Sequence, residues 1–140
     1  MKSNKTDDGR MRILLVEDSR VVSGVVAIML KKLLNGQADV VAAYSGEEAI
    51  DAMRDIQELD LLITDFGLRT STDGIEVIRF MLDATNLRPK VLAMSGTIED
   101  FKEALNERLE DKAQLIQLQF IQKPLEREAL QSFLSELMAK

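Results

Sequence analysis

A chain of 140 residues with 46% hydrophobic and 30% charged residues is long enough for one hydrophobic core. It has no cysteine and no histidine, which excludes disulfides, the common zinc sites and catalysis that needs an imidazole. A net charge of −6 argues against direct nucleic-acid binding, whose affinity comes mostly from Lys and Arg on phosphates, and no apolar run approaches the roughly 18 residues that would imply membrane insertion.

The opening MKSNKTDDGR is polar and mixed in charge. Residues 1–9 read as a flexible tail and not a signal peptide, with one domain over 10–140 and a cytoplasmic location. RILLV (Arg12–Val16) is predicted as a strand, after which Ser19 caps a helix to about Leu34, closed by Asn35-Gly36. ADVVAA (Ala38–Ala43) is the second strand, and the Ser45/Glu48 capping-box spacing opens a helix to about Gln57. DLLIT (Asp60–Thr64) is the third strand; Ile75, Ile78, Arg79 and Leu82 mark the helix after it. KVLAM (Lys90–Met94) is the fourth, followed from near Glu99 by a helix with Phe101, Leu105 and Leu109 at helical spacing. The fifth strand lies within IQLQFIQ, and Pro124 is expected to start a last helix, Leu125 to Met138.

Strand and helix alternate five times, and the strands are unbroken apolar runs. That pattern predicts an α/β fold: a five-stranded parallel sheet with helices on both faces. Its chemistry-bearing residues all follow strands. Glu17 and Asp18 follow the first, Asp65 the third, Ser95 the fourth and Lys123 the fifth. In a doubly wound sheet of order 2-1-3-4-5 these ends share one edge, with the topological switch between strands one and three. Three carboxylates in one crevice repel, by about 4 kcal/mol for a pair about 4 Å apart at an effective dielectric near 20. Either their pKa values rise or a cation sits among them. Oxygen-only donors suit Mg2+ or Mn2+. Ser95 and Lys123 could then hold phosphoryl oxygens while Asp65 attacks phosphorus. Singly, each residue has a plainer reading: Glu17-Asp18 as a helix cap, Asp65 as a turn former, Ser95-Gly96 as a loop, Lys123-Pro124 as a helix start. All five at the correct strand ends make the joint coincidence improbable.

Two other chemistries start from the same letters. LLITDFGLRTSTDG (Leu61–Gly74) carries the Asp-Phe-Gly of protein kinases, but no Gly-rich loop, V-A-I-K strand or H-R-D segment accompanies it. A Mg2+-dependent aspartyl phosphatase would want a second acid two residues after the first, where Gly67 stands.

The segments LLVEDS, LLITD, LAMSG and FIQKP resemble a response-regulator receiver domain of two-component phosphorelays, over nearly the whole chain from about Arg10. The resemblance implies a flavodoxin-like (βα)5 fold. It implies Asp65 as phosphoacceptor, with Asp18, Asp65 and the Gly67 carbonyl as Mg2+ ligands and Glu17 acting largely through water. It implies Ser95 and Lys123 gripping the phosphoryl group, and Phe120 as the aromatic that swings inward when Ser95 moves. The implied partners are a histidine kinase or histidine phosphotransfer protein and a downstream target protein. Such a domain is no enzyme beyond catalysing its own phosphorylation and dephosphorylation. The alternative is a receiver-fold adaptor that signals by protein interaction without phosphorylation; such proteins typically lose an acid or the lysine, and this chain keeps them.

The sequence departs from the family in two places. FGLRTSTD lacks the usual proline, and its Thr70-Ser71-Thr72 run is either a flexible polar loop or a modification site. The span from Ser95 to Lys123 is longer than usual, implying an extended fourth helix or following loop. No output domain follows Lys140, so a stand-alone, single-domain regulator is expected. The first helix, RVVSGVVAIMLKKLL, is apolar around more of its circumference than a core-facing stripe requires. Deeper burial against the sheet is the favoured reading, and docking of a partner's helices the other.

Overall fold

In the computed structural model, which describes residues 9–68 and 72–139, strands β1 (Met11–Val16), β2 (Ala38–Ala43), β3 (Leu61–Asp65), β4 (Lys90–Ser95) and β5 (Gln117–Gln122) alternate with helices α1 (Arg20–Leu33), α2 (Gly46–Asp55), α3 (Gly74–Ala84), α4 (Ile98–Leu109) and α5 (Arg127–Met138). The strands form one parallel sheet in the order β2-β1-β3-β4-β5, a flavodoxin-like arrangement as expected.

Successive strand residues point to opposite faces, and the sequence fills both with apolar side chains. Leu14, Val16, Leu62, Val91 and Ala93 pack with Ile75, Ile78, Phe101 and Leu105, the core under α2, α3 and α4. Ile13, Leu15, Leu61, Ile63, Leu92 and Met94 pack with Val26, Leu30, Leu130 and Phe133, the core under α1 and α5. Each large apolar side chain removed from water contributes about 1.5–3 kcal/mol, so the central strands anchor the sheet from both sides. The edge strands β2 and β5 are only partly covered.

Local chemistry sets the helix ends. Ser19 Oγ accepts from the Val22 N–H (3.2 Å); Ser45 Oγ accepts from the Glu48 N–H, while Glu48 reaches back to the Tyr44 N–H. Asn35 and Gly36 take positive φ, and the Gly36 N–H returns to the Lys31 carbonyl (2.8 Å), closing α1.

Several boundaries differ from the sequence reading. Asp65 and Ser95 are the last residues of β3 and β4, not the first of the loops after them, because the ladders run on through Asp65↔Met94 and Ser95↔Gln122. Pro124 does not start α5. It stands in the preceding loop after a cis Lys123-Pro124 bond, and α5 begins at Arg127. The long span after Ser95 holds α4, β5 and, between them, a short 3-10 helix, Glu110–Leu115, joined to α4 at Glu110, whose φ is 50°. The favoured deep burial of α1 is also wrong: Val21, Val25 and Ile28 are 78, 53 and 56% exposed. The expected tail lies outside the described residues apart from Gly9, as do Thr70 and Ser71; Thr72 is half-buried.

Candidate functional site

Val16 pairs with Thr64, so β1 and β3 deliver Glu17 and Asp65 side by side at the edge of the switch point. Glu17, Asp18 and Asp65 each place a carboxylate oxygen within 4.8 Å of the others. Glu17 and Asp65 are buried, and Asp18 is half-buried. The Glu17 carboxylate accepts from the Ser19 N–H (2.9 Å) at the start of α1 and from Lys123 Nζ (3.0 Å). Lys123 Nζ also donates to Asp65 Oδ2 (2.9 Å). One ammonium from the loop after β5 thereby ties the ends of β1 and β3 together.

The titration behaviour follows. Burial raises the Glu17 carboxyl above its ordinary range, an effect that the bonds from Ser19 and Lys123 only partly offset and the Asp65 charge reinforces. Burial pulls Lys123 down, but its bonds to Asp65 and Glu17 outweigh this and its pKa is raised.

Three carboxylates and one ammonium leave a formal charge of minus two in the crevice. The donor set is all oxygen and lacks nitrogen or sulfur, which fits a hard divalent ion such as Mg2+. The Asp65, Asp18 and Glu17 carboxylates are the donors that the structure brings together for such an ion. In the β3–α3 loop the Leu68 N–H bonds the Phe66 carbonyl (3.0 Å), a tight turn centred on Gly67, which is exposed at the crevice rim.

Ser95 is buried beside this group through its backbone: its carbonyl accepts from the Lys123 N–H (2.9 Å). Its hydroxyl accepts from the Thr97 N–H (2.9 Å), so here the side chain serves its own loop. Phe120 is partly buried, edge-on to Phe101 at 5.5 Å. The Lys102 ammonium is 5.3 Å from its ring.

The structure adds residues that the sequence reading left out. Phe66 stacks on Phe101 at 4.8 Å. Asp73 caps α3, accepting from the Ile75 and Glu76 N–H groups, and is held bidentately by Arg108 (2.7 and 3.2 Å). Asp73 and Glu76 have the spacing of a capped helix start, so the cap was readable. The Arg108 partnership bridges 35 positions and carries no local signature.

The fold has counterparts among solved structures. A CheY-like response regulator receiver domain from Methylobacillus flagellatus superimposes with a TM-score of 0.73 at 20% identity, over 91% of this chain and 98% of that one. The receiver domain of the sensor histidine kinase PA1611 of Pseudomonas aeruginosa PAO1, whose structure has a magnesium ion coordinated in its active site cleft, does so with a TM-score of 0.68 at 25% identity, over 94% of this chain and 99% of that one. The chemotaxis protein CheY4 of Vibrio cholerae follows at 0.67 and 18%, over 91 and 98%. No curated protein matches the sequence as a relative. Residues 13–135 match the response regulator receiver domain, and the chain belongs to that family of two-component signalling domains.

Proposed function

We propose that the domain is a phosphorylation-dependent switch that accepts a phosphoryl group on Asp65 from a phosphohistidine. The observation that carries this reading is the Lys123 ammonium bonded to both Glu17 and Asp65 inside a three-carboxylate crevice. It is an arrangement suited to binding a divalent ion and a phosphoryl group together. Asp18, Asp65 and the Gly67 carbonyl would ligate Mg2+ (or Mn2+), with Glu17 acting largely through water. The bound ion supplies positive charge against the phosphoryl oxygens. An Asp65 oxygen attacks phosphorus as the P–N bond to the donor imidazole breaks, and the electron pair leaves on that nitrogen. Lys123 and Ser95 then hold oxygens of the transferred group; for Ser95 this means exchanging its bond from the Thr97 N–H for one to the phosphoryl group. Rotation of Phe120 carries the change to the β5 side. The protein is thus a phosphoacceptor that catalyses its own phosphorylation and dephosphorylation, and it signals by binding another protein in the cytoplasm.

The exposed stripe Val21, Val25 and Ile28 has the i, i+4, i+7 spacing of a helix-docking face and begins three residues beyond Asp18. It is where we place the kinase or phosphotransfer partner. No helix among the described residues is long and apolar enough to cross a membrane. Transfer of label from a phosphohistidine donor to the parent, and none to Asp65→Asn, is the test; equal labelling of both would remove Asp65 from its role.

A further inference from the structure

The loop that leaves Asp65 is held at both ends by one face of α4. Phe66, the residue after Asp65, stacks on Phe101 in the first turn of α4, with ring centroids 4.8 Å apart and planes 26° apart. Asp73, the last residue before α3, is gripped by Arg108 in the last turn of α4. Phe101 and Arg108 are seven positions apart and so share a helix face, with buried Leu105 between them. Around these two ties, Arg108 also bonds Glu76. Its carbonyl accepts from Arg79 Nη2 (2.6 Å), and Lys112 in the 3-10 helix pairs with Asp83 (2.9 Å). The two ends of the loop are also tied to each other. The Gly74 N–H bonds the Phe66 carbonyl (3.2 Å), and a Cβ on Gly74 would stand 2.3 Å from the Asp65 carbonyl oxygen.

We infer that Phe66 and Arg108 are positioning residues that link occupancy of the Asp65 crevice to the placement of α4, through the two ends of the loop that follows Asp65. A ligand that shifts Asp65 moves Phe66 against a ring that is wholly buried in α4. The Arg108 fork prevents the far end of the loop from absorbing that shift. Phe101 also meets Phe120 edge-on, so the route reaches the β5 side. The inference rests on the phosphoacceptor reading above for its physiological trigger.

The test is amide hydrogen exchange of the full chain, with and without Mg2+ and beryllium fluoride, a phosphoryl mimic. The parent, Phe66→Leu/Arg108→Met and Phe66→Leu/Arg108→Lys are compared after circular dichroism confirms that each is folded. Ligand should protect residues 61–68 and change exchange across 98–109 about threefold or more in the parent. The α4 response should disappear in Phe66→Leu/Arg108→Met while protection of 61–68 persists, and partly return with lysine. An unaltered α4 response in the double variant overturns the inference. If the parent shows no protection at 61–68, the phosphoacceptor reading is what fails. The link is then decided on the ligand-free protein. There Arg108→Met must speed exchange at residues 66–68, and unchanged exchange overturns it.

Discussion

Lys123 and Asp65, 58 positions apart in the chain, are joined by a 2.9 Å bond at the open edge of the sheet. The same ammonium reaches Glu17 at 3.0 Å. It is therefore both the counter-charge of the carboxylates in the crevice and, on our reading, a clamp for the phosphoryl group.

Replacing Lys123 by alanine separates these roles. Without the ammonium, two buried carboxylates lose a donor, and such losses typically cost about 1–3 kcal/mol. Urea denaturation at neutral pH should show that loss without Mg2+ and recovery of much of it with Mg2+. The variant should still bind the ion, but phosphorylation of Asp65 should no longer move Phe120, as read from the ring's NMR signals. Normal switching would leave the lysine a structural role alone.

Glu17 gives the crevice a pH dependence. Burial raises its pKa in the folded protein above the ordinary 4.5, so the native state holds this proton to higher pH than the unfolded chain does. Metal-free stability should therefore fall as pH rises from 4.5 through the raised value. Mg2+ affinity should increase over the same window, because the ion needs the carboxylate. The raised pKa of Lys123 acts at the other end of the scale: its contribution is full below 10.5 and is lost as pH rises through its folded value. Chemical denaturation and Mg2+ titration across the acidic window check the Glu17 statement. Glu17→Gln should flatten both profiles, and an unchanged slope in that variant would assign the titration elsewhere.

Gly74 is a packing requirement next to the site. An alanine Cβ would press on the Asp65 carbonyl oxygen, and the backbone there is fixed by the Gly74 N–H bond to Phe66. Gly74→Ala should destabilise the fold by about 1–3 kcal/mol and slow phosphoryl uptake, whereas alanine at exposed Gly96, where a Cβ meets nothing within 4 Å, should leave stability nearly unchanged. Calorimetry of the two variants gives the comparison.

The α1 stripe separates donor recognition from chemistry. Val25→Asp places a charge on a residue that is 53% exposed, so the fold should be unaffected. Uptake from acetyl phosphate should match the parent, while transfer from a phosphohistidine protein should fall about tenfold or more, as when a charge is buried unpaired in an interface. Equal loss with both donors would place Val25 in the fold and not in docking.

The parallel strands and the acidic crevice were legible in the sequence because both depend on local signals, whereas the order 2-1-3-4-5 came from the resemblance to receiver domains. Apolar runs such as ILLV and VLAM mark strands buried on both faces, and parallel strands put all following residues at one edge. Boundaries slipped by one at Asp65 and Ser95 because ladder pairing, which a single sequence does not display, extends each strand. The helix expected at Pro124 failed because proline suits a loop as well as a first turn. The α1 face was misjudged because an apolar wheel does not say which residues find a partner. The ties of Phe66 to Phe101 and Arg108 to Asp73 were invisible for a related reason. They join distant segments, and Phe66 read as part of a motif borrowed from another family.

The most direct test of the account is the intact mass of the purified chain after incubation with Mg2+ and acetyl phosphate, beside Asp65→Asn. The expected result is a gain of one phosphoryl group in the parent alone, removed by hydroxylamine as an acyl phosphate should be. The same gain in Asp65→Asn, or an adduct that survives hydroxylamine, would contradict the assignment of Asp65 as phosphoacceptor.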